Sequence, residues 1–217
     1  MTKYNVSRSL KWQGKITEKV SSVCRMFGLT IDRLAERCLT HDCQLEIEAG
    51  DIVYLTGPSG AGKSVLLGEL EKSIPVADRV NLAQIELPSD RTLIDCIDGG
   101  FLEGLKLLST AGLNDCFCIL NQPNNLSAGE KYRFRLAMAL AAGKQFVFAD
   151  EFCSELDRIT AAVISSRLRT FAKRTGTTFV LASSHQDILL DLEPEVLVVK
   201  ELSGPVEVIY KLMRRKR

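Results

Sequence analysis

The chain has 217 residues, of which 46% are hydrophobic and 25% are charged, and its formal net charge is +1. A chain of this size can bury a sizeable core without disulfides or metal, and the composition excludes wholesale disorder and fibrous structure. The balance of 28 basic and 27 acidic residues argues against a protein that coats nucleic acid. The apolar runs are shorter than a membrane helix requires, and no apolar leader is visible. We therefore expect a soluble, cytoplasmic protein built around one α/β domain.

The seven cysteines are scattered through apolar surroundings, which predicts buried, reduced thiols. Cys116 and Cys118 form the only close pair, without a second pair at zinc-finger spacing. The two histidines, His41 and His185, lie far from each other in the sequence. We therefore expect no structural zinc site.

Strands and helices are predicted to alternate along most of the chain. In chain order they are a short helix near 31–38, strands at 44–48 and 52–56, a helix at 65–73, a strand at 79–85, one or two helices within 92–112, a helix at 127–142, a strand at 146–149, a helix at 161–173 and strands at 177–182, 196–199 and 206–210. This alternation predicts an α/β fold with a mostly parallel sheet flanked by helices. The last two strands, joined by the turn at 203–205, favour a hairpin at the edge of the sheet.

A phosphate-binding loop is predicted between the strand at 52–56 and the helix that follows it. The sequence GPSGAGKS fits the pattern G-x-x-x-x-G-K-[ST]. Glycines allow backbone N–H groups to surround phosphate oxygens, and the helix N-terminus adds a partial positive charge. Lys63 is expected to neutralise the β- and γ-phosphates, and the Ser64 hydroxyl is expected to bind Mg²⁺. The predicted nucleotide-binding residues are Gly57, Pro58, Ser59, Gly60, Ala61, Gly62, Lys63, Ser64 and Val65. An ordinary glycine-rich turn is the alternative.

Two adjacent acids, Asp150 and Glu151, follow the buried strand at 146–149. A carboxylate at the C-terminal end of a parallel strand lies at the crevice where ligands bind. Asp150 is therefore predicted to hold Mg²⁺ through water, and Glu151 to orient and polarise an attacking water molecule. The alternative is that Asp150 caps the next segment.

The helix predicted at 127–142 begins with a capping box, in which Ser127 and Glu130 satisfy each other's backbone N–H groups. Taken alone, this pattern indicates a helix start. The first-turn N–H groups at Ser127, Ala128 and Gly129 are not shielded by bulky side chains, so an anion could also approach them closely.

Five motifs occur in one order over residues 43–200: GPSGAGKS, then LSAGEKYR at 126–133, FVFADE at 146–151, SELD at 154–157 and SH at 184–185. This order resembles the Walker A, signature, Walker B, D-loop and switch histidine of the ATP-binding cassette (ABC) ATPases. The resemblance implies a P-loop NTPase fold with a mostly parallel sheet flanked by helices and a small helical subdomain that carries the signature motif. It also implies binding and hydrolysis of ATP with Mg²⁺.

The resemblance implies a role for each matching residue. Ser127 and Gly129 would contact the γ-phosphate of ATP held by a second copy, so an ATP-dependent head-to-tail homodimer is expected. Glu151 would act as the general base, and His185 would contact the γ-phosphate. Gln84 matches the Q-loop glutamine, which reaches Mg²⁺ and the attacking water. In addition, Asp157 would connect the two sites of the dimer.

The sequence departs from the family pattern in several places. The signature has Ala128 where glycine is usual, and the extra methyl group beside the phosphate is expected to weaken closure of the dimer; it also has Glu130 where glutamine is common. Phe152 and Cys153 replace the usual proline and threonine. The short interval before Gln84 suggests that the accessory antiparallel β-region is trimmed. For the aromatic residue that stacks on adenine, we select Phe27, with Trp12 and Tyr4 as alternatives.

The resemblance divides the chain into three parts. Residues 1–42 form an N-terminal extension on or near the nucleotide site, 43–210 form the ABC ATPase domain with a helical subdomain at about 86–142, and 211–217 form a basic tail. Residues 23–29 also resemble ABC modules that accompany acetyltransferase-type domains.

The motifs do not identify the protein partner. One hypothesis is the nucleotide-binding subunit of a membrane transporter, which would contact its partner through the region after Gln84. Another is an ATPase associated with nucleic acid, through Arg133, Arg135 and the tail at 211–217. A small-molecule kinase would leave the signature motif and His185 unexplained.

Overall fold

The computed structural model describes residues 1–36, 38–185 and 187–212. Strand β1 (Thr2–Lys11) pairs antiparallel with strand β2 (Cys38–Ile47), so that Thr2 lies opposite Ile47 and Lys11 opposite Cys38. Helices α1 (Glu18–Met26) and α2 (Ile31–Glu36) lie between these two strands in the sequence. The N-terminal residues thus supply one strand of a two-stranded sheet.

A second sheet has six strands, and the candidate site lies at the C-terminal ends of some of them. Its strands are β3 (Ile52–Thr56), β4 (Arg79–Asn81), β5 (Phe146–Ala149), β6 (Thr178–Ala182), β7 (Val196–Val199) and β8 (Glu207–Tyr210). Their spatial order is β4-β5-β6-β3-β7-β8, and every neighbouring pair is parallel except β7 and β8. The predictions of a mostly parallel sheet and of a hairpin at its edge are confirmed.

Helices cover both faces of this sheet. They are α3 (Lys63–Lys72), α4 (Phe101–Thr110), α5 (Cys116–Ile119), α6 (Ala128–Ala141), α7 (Arg158–Thr175) and α8 (Leu189–Leu192). Because side chains alternate along a strand, Val53 and Leu55 pack in the core under α3, β1 and β2, whereas Ile52 and Tyr54 pack in the core with α4, α6 and α7. Burial on both faces explains why β3 is a continuous apolar run.

Some predicted bounds were wrong. The strand predicted at 79–85 stops at Asn81, because the Asn81 side chain accepts a hydrogen bond from the Ala83 N–H at 3.0 Å and starts a 3₁₀ turn over Leu82–Gln84. The helix predicted near 31–38 ends at Glu36, and the strand predicted at 44–48 begins earlier, at Cys38. Strand β1 and helix α1 were not predicted. Within the described ranges, no helix is long and apolar enough to cross a bilayer.

Candidate functional site

Three loops meet at the C-terminal edge of the six-stranded sheet, because β3, β6 and β5 are parallel neighbours. The predicted phosphate loop follows β3, the segment with His185 follows β6, and Asp150 and Glu151 follow β5. Two backbone hydrogen bonds join these segments. The Ser183 N–H donates to the Leu55 carbonyl at 3.0 Å, and the Phe152 N–H donates to the Ala182 carbonyl at 2.8 Å. The fold therefore places the three predicted motifs side by side.

The phosphate loop is so closely packed around two of its glycines that a side chain at either position is strongly disfavoured. Gly57 has a φ of +142°, and a Cβ atom there would lie 1.9 Å from the carbonyl oxygen of Lys200. Gly62 has a φ of +99°, and a Cβ atom there would lie 2.3 Å from Cε1 of His41. Positive φ values are easily adopted only by glycine. Both the backbone and its surroundings thus require glycine at 57 and 62.

Lys63 begins helix α3, and its side chain folds back into the loop. Its Nζ donates to the carbonyl oxygens of Gly57 at 2.9 Å and Pro58 at 3.0 Å. Ser59, Gly60 and Ser64 are exposed, whereas Lys63 and Ala61 are buried and Val65 is half-buried. The exposed Ser64 hydroxyl at the N-terminus of α3 is thus free to face a ligand at the loop.

The acidic pair lies directly after β5, with a strained backbone. Asp150 accepts a hydrogen bond from the N–H of Glu151 at 3.0 Å, so it caps its neighbour locally, as the alternative interpretation required. Glu151 is exposed, and its φ is +49°. A residue other than glycine in this region is unusual and clusters at functional sites. The exposed side chain of Glu151 therefore lies at a sharp bend just after β5.

His185 is held through its backbone, while its side chain is exposed. Its N–H donates to Oγ of Ser183 at 3.2 Å, and its carbonyl accepts from the hydroxyl of Tyr54. Tyr54 lies on β3 and is fully buried. Tyr54 was not predicted as a site residue, because a tyrosine in an apolar strand indicates only core packing.

The predicted capping box is present at the start of α6. The Ser127 hydroxyl accepts from the N–H of Glu130 at 3.3 Å, and the Glu130 carboxylate accepts from the N–H of Ser127 at 2.9 Å. The hydrogen bonds from Ser127 hold the pKa of Glu130 below its usual value. A Cβ atom at Gly129 would lie 3.3 Å from Leu156, so the first turn of α6 packs against the segment after Glu151.

Two further contacts tie this segment to its helices. The hydroxyl of Tyr132, on α6, accepts a hydrogen bond from the N–H of Cys153 at 3.0 Å. Asp157 is the N-cap of α7 and accepts from the Thr160 hydroxyl at 2.6 Å and from the Thr160 N–H at 3.0 Å, and these hydrogen bonds lower its pKa. Burial raises the pKa of the Cys153 thiol to about 12, so this cysteine stays protonated.

The structure does not bring Gln84 to the phosphate loop. Its Nε2 donates to Oε1 of Glu71 at 3.4 Å, and Glu71 also accepts from Nδ2 of Asn81 at 2.6 Å. Glu71 lies in the last turn of α3, whereas the phosphate loop lies at the first turn of that helix. A role of Gln84 in catalysis or Mg²⁺ binding stays a prediction that requires this amide to leave Glu71.

The aromatic candidates lie in different surroundings. Tyr4 packs edge-on against Phe146 at a ring distance of 6.2 Å, at the start of β5 and thus at the opposite end of that strand from Asp150. Phe27 ends α1 with 70% of its surface exposed. Trp12 comes directly after β1 and is half-buried. The structure therefore separates Tyr4 from the candidate site.

The chain was compared with known proteins in sequence. No protein-family profile matches it. It is 29% identical over 198 residues to the methionine import ATP-binding protein MetN of Sodalis glossinidius, covering 74% of this chain and 57% of that protein. It is 29% identical over 217 residues to MetN of Mannheimia succiniciproducens, covering 83% of this chain and 61% of that protein. The chain thus spans about three-fifths of the length of these relatives.

Solved structures give the same result for the fold. The ATP-binding cassette MJ0796, in a dimeric post-hydrolysis state bound to ADP and Pi, superposes with a TM-score of 0.66 at 19% identity, covering 94% of this chain and 96% of that one. The resemblance to the ABC ATPases is confirmed. A second dimeric structure of that cassette has a TM-score of 0.63 at 21% identity, covering 81% of this chain and 93% of that one. The fold is thus that of an ABC cassette with a P-loop NTPase sheet.

The cassette's residues fit a magnesium ion in a nucleotide complex. Ser64 and Asp150 supply hard oxygen atoms, which Mg²⁺ prefers. Among the described residues, no group of three or more His, Cys, Asp or Glu side chains could hold a metal ion. Mg²⁺ commonly keeps several waters and binds together with substrate phosphates through one or two protein groups, so two such oxygen atoms are enough.

Proposed function

We propose that the chain binds and hydrolyses MgATP and that two copies close head to tail over two nucleotides. The observation that carries the proposal is the pair of backbone hydrogen bonds, Ser183 to Leu55 and Phe152 to Ala182. They hold the phosphate loop, the His185 segment and the acidic pair together at one edge of the sheet. ATP hydrolysis needs these three parts in one place, to bind the phosphates, to contact the γ-phosphate and to supply the base.

In the proposed reaction, the phosphate loop binds the β- and γ-phosphates through its N–H groups and Lys63. Ser64 and Asp150 would hold Mg²⁺, which neutralises charge on the phosphates. The Glu151 carboxylate takes a proton from the attacking water, and the His185 imidazole hydrogen-bonds the γ-phosphate. The γ-phosphate leaves as inorganic phosphate and ADP remains.

A second copy completes each site. The exposed first turn of α6, with Ser127 and Gly129, presents N–H groups and the positive end of the helix dipole. This turn belongs to the opposite protomer in the proposed dimer. The dimers of the similar cassette MJ0796 support this arrangement.

The test compares the unchanged chain with Glu151→Gln and Lys63→Ala. Steady-state ATP hydrolysis is measured, together with molar mass by light scattering with and without MgATP. We expect Glu151→Gln to bind MgATP, to lose turnover and to double in mass with MgATP. Lys63→Ala should bind nucleotide weakly and stay monomeric.

Glu207→Gln is the control, because Glu207 is an exposed acid on the edge strand β8, outside the five motifs. It should keep its turnover. A Glu151→Gln variant that hydrolyses ATP at the original rate would contradict the assignment of the base. A variant that stays monomeric with saturating MgATP would contradict the head-to-tail dimer.

For the adenine contact we now favour Trp12 over Phe27. Strand β2 carries His41 against Gly62 of the phosphate loop, and β1 runs beside β2 up to Lys11. Trp12 follows directly, so the pair of strands that contacts the loop also carries this indole. ATP is expected to quench the fluorescence of Trp12, the single tryptophan, and calorimetry should show weaker ATP binding in Trp12→Leu.

The domain limits remain our proposal. We keep 43–210 as the ABC ATPase domain, with a helical subdomain at about 86–142, and 1–42 as an extension near the nucleotide. Of the basic tail at 211–217, residues 213–217 lie outside the described residues.

A membrane transporter subunit is the second candidate, and one surface favours it. The helical subdomain exposes four large apolar side chains, 64–81% accessible: Phe101, Leu102, Phe117 and Leu120. The similar MetN proteins are import ATP-binding proteins, so we propose that this face contacts a membrane-embedded subunit. Phe117→Glu should then abolish co-purification with that subunit from membranes and leave basal ATP hydrolysis unchanged.

An association with nucleic acid receives less support. The Arg133 guanidinium donates to the carbonyls of Gly129 and Gly112, and Arg135 donates to the carbonyl of Ile85. Both arginines are thus used to hold the cassette together.

A further inference from the structure

Tyr54 places a polar group beneath the loops of the candidate site. It lies in the middle of the central strand β3 and is 0% exposed. Its ring belongs to the core that α4, α6 and α7 cover. Its hydroxyl donates to the backbone carbonyl of His185, so the phenol spans from the central strand to the loop after β6. A buried hydroxyl in an apolar core is costly unless it is paired, and here its partner belongs to the site.

Two hydrogen bonds fix the His185 segment to β3, and a third lies within the segment. The Ser183 N–H donates to the Leu55 carbonyl, the His185 N–H donates to Oγ of Ser183, and the His185 carbonyl accepts from Tyr54. Ser183 is fully buried, whereas the His185 side chain is exposed. Both peptide groups of His185 are thus held while its imidazole is left to face a ligand.

We propose that Tyr54 is a positioning residue that fixes the His185 backbone so that the imidazole meets the γ-phosphate. This inference rests on the proposed ATP hydrolysis and adds a residue to it. The Tyr54 hydroxyl raises the rate of turnover, because it sets the direction of His185. It is dispensable for nucleotide binding, because the phosphate loop does not use it.

The chemistry of the phenol fits this role. Burial raises the pKa of Tyr54 to about 12, so the hydroxyl keeps its proton at neutral pH and remains a donor. A hydrogen bond with the Ser183 side chain opposes this shift in pKa, whereas the charges of nearby Cys153 and Asp187 act in the same direction as burial. Cys153 follows Glu151 in the acidic segment, so Tyr54 lies beneath both the base loop and the histidine loop.

Tyr54→Phe tests the proposal with the loss of one oxygen atom and no loss of ring packing. We expect kcat for ATP hydrolysis to fall about tenfold, since small misplacements of a catalytic group have effects of this order. KM for ATP and the affinity for MgATP should stay within about twofold. Tyr210→Phe is the matched control, because the Tyr210 hydroxyl accepts from the Glu46 N–H away from this edge, and its kcat should not change. An unchanged kcat in Tyr54→Phe would overturn the proposal.

A double-mutant cycle separates positioning from a general loss of stability. In the His185→Ala background, Tyr54→Phe should have no further effect on kcat, because the group that it positions is gone. An equal fall in both backgrounds would show that Tyr54 acts elsewhere. Ser183→Ala removes the other side-chain bond to His185 and should lower kcat in the same way, so the proposal stays testable if Tyr54→Phe does not fold. If the unchanged chain hydrolyses no ATP, the proposed function fails instead.

Discussion

The carboxylate of Glu130 accepts hydrogen bonds from both the N–H and the hydroxyl of Ser127, at 2.9 and 2.7 Å. These groups lie at the exposed start of α6, where the proposed dimer presents N–H groups to the γ-phosphate of the opposite copy. The cap therefore places a negative charge where a second negative charge is expected. The strength of closure should depend on this one side chain.

We predict that Glu130→Gln closes the dimer more tightly. A glutamine can still cap the helix but carries no charge. Removal of an anion at a helix N-terminus changes interaction energies by about 1 kcal/mol, so the dissociation constant of the MgATP dimer in the Glu151→Gln background should fall about fivefold. Analytical ultracentrifugation measures this constant.

Glu130→Ala serves as the comparison, because it removes the charge and the cap together. Glu130→Ala should lower the unfolding free energy by about 1 kcal/mol, whereas Glu130→Gln, which keeps the cap, should not. Weaker association in Glu130→Gln would argue against a γ-phosphate at this turn.

Gly62 should tolerate alanine poorly, for two separable reasons. Its φ of +99° disfavours any side chain by about 1–3 kcal/mol, and the new Cβ atom would also strike the His41 ring. We expect Gly62→Ala to weaken MgATP binding at least about tenfold. In a His41→Ala background the stability penalty of Gly62→Ala should shrink by about 1 kcal/mol, because only the steric part is relieved. Urea unfolding of the four variants measures this. Equal penalties in both backgrounds would exclude the contact.

His41 should make stability depend on pH below neutrality. Its ring is 7% exposed, and its Nδ1 has no hydrogen-bond partner. Burial, together with the positive charge of Lys200, lowers its pKa below the usual 6.5, while Asp42 opposes the shift. The folded state therefore binds fewer protons than the unfolded state, so unfolding free energy falls as pH decreases from about 6.5 towards the lowered pKa.

Urea midpoints at a series of pH values between 7.5 and 5.5 measure the effect of His41. The slope should flatten in His41→Gln and persist in His185→Gln, which removes the other histidine. An unchanged slope in His41→Gln would assign the dependence to other groups.

Tyr132→Phe should destabilise the cassette by about 1–2 kcal/mol, because the Cys153 N–H loses its acceptor. Cys153 has a φ of +59°, so the bend that follows Glu151 depends on this contact. Denaturant unfolding gives the energy, and Tyr4→Phe, away from the site, gives a comparison. A stability loss no larger than that of Tyr4→Phe would mean that another group or water replaces the phenol.

The sequence determined the parts of this fold whose patterns are local. A few neighbouring residues are enough to predict the glycine-rich phosphate loop, the Ser127 cap and the apolar strand at 146–149. Strand β1 was missed because only Val6 in it is buried, so its pattern is mostly polar. The strand at 79–85 was overextended because an asparagine side chain, Asn81, ended it locally.

The site residues that belong to sequence motifs were predicted, whereas those that reach the site only through contacts between distant residues were missed. Asp150, Glu151 and His185 follow strands that the sheet places side by side. Tyr54 and His41 enter only through pairs distant in the sequence, with His185 and Gly62. For Gln84 the motif match predicts a role at the site, but its amide donates a hydrogen bond to Glu71 instead.

The order of the strands has a consequence for how the chain folds. β3, the strand that ends in the phosphate loop, pairs with β6 and β7, which both come from the last fifth of the chain. Pairings between such distant segments form late, because a long loop must close first. During synthesis β3 therefore emerges long before its neighbours, and any fragment that ends before Val196 leaves an edge of this buried, apolar strand unpaired. Truncations that end before Val196 should aggregate rather than yield a smaller folded cassette.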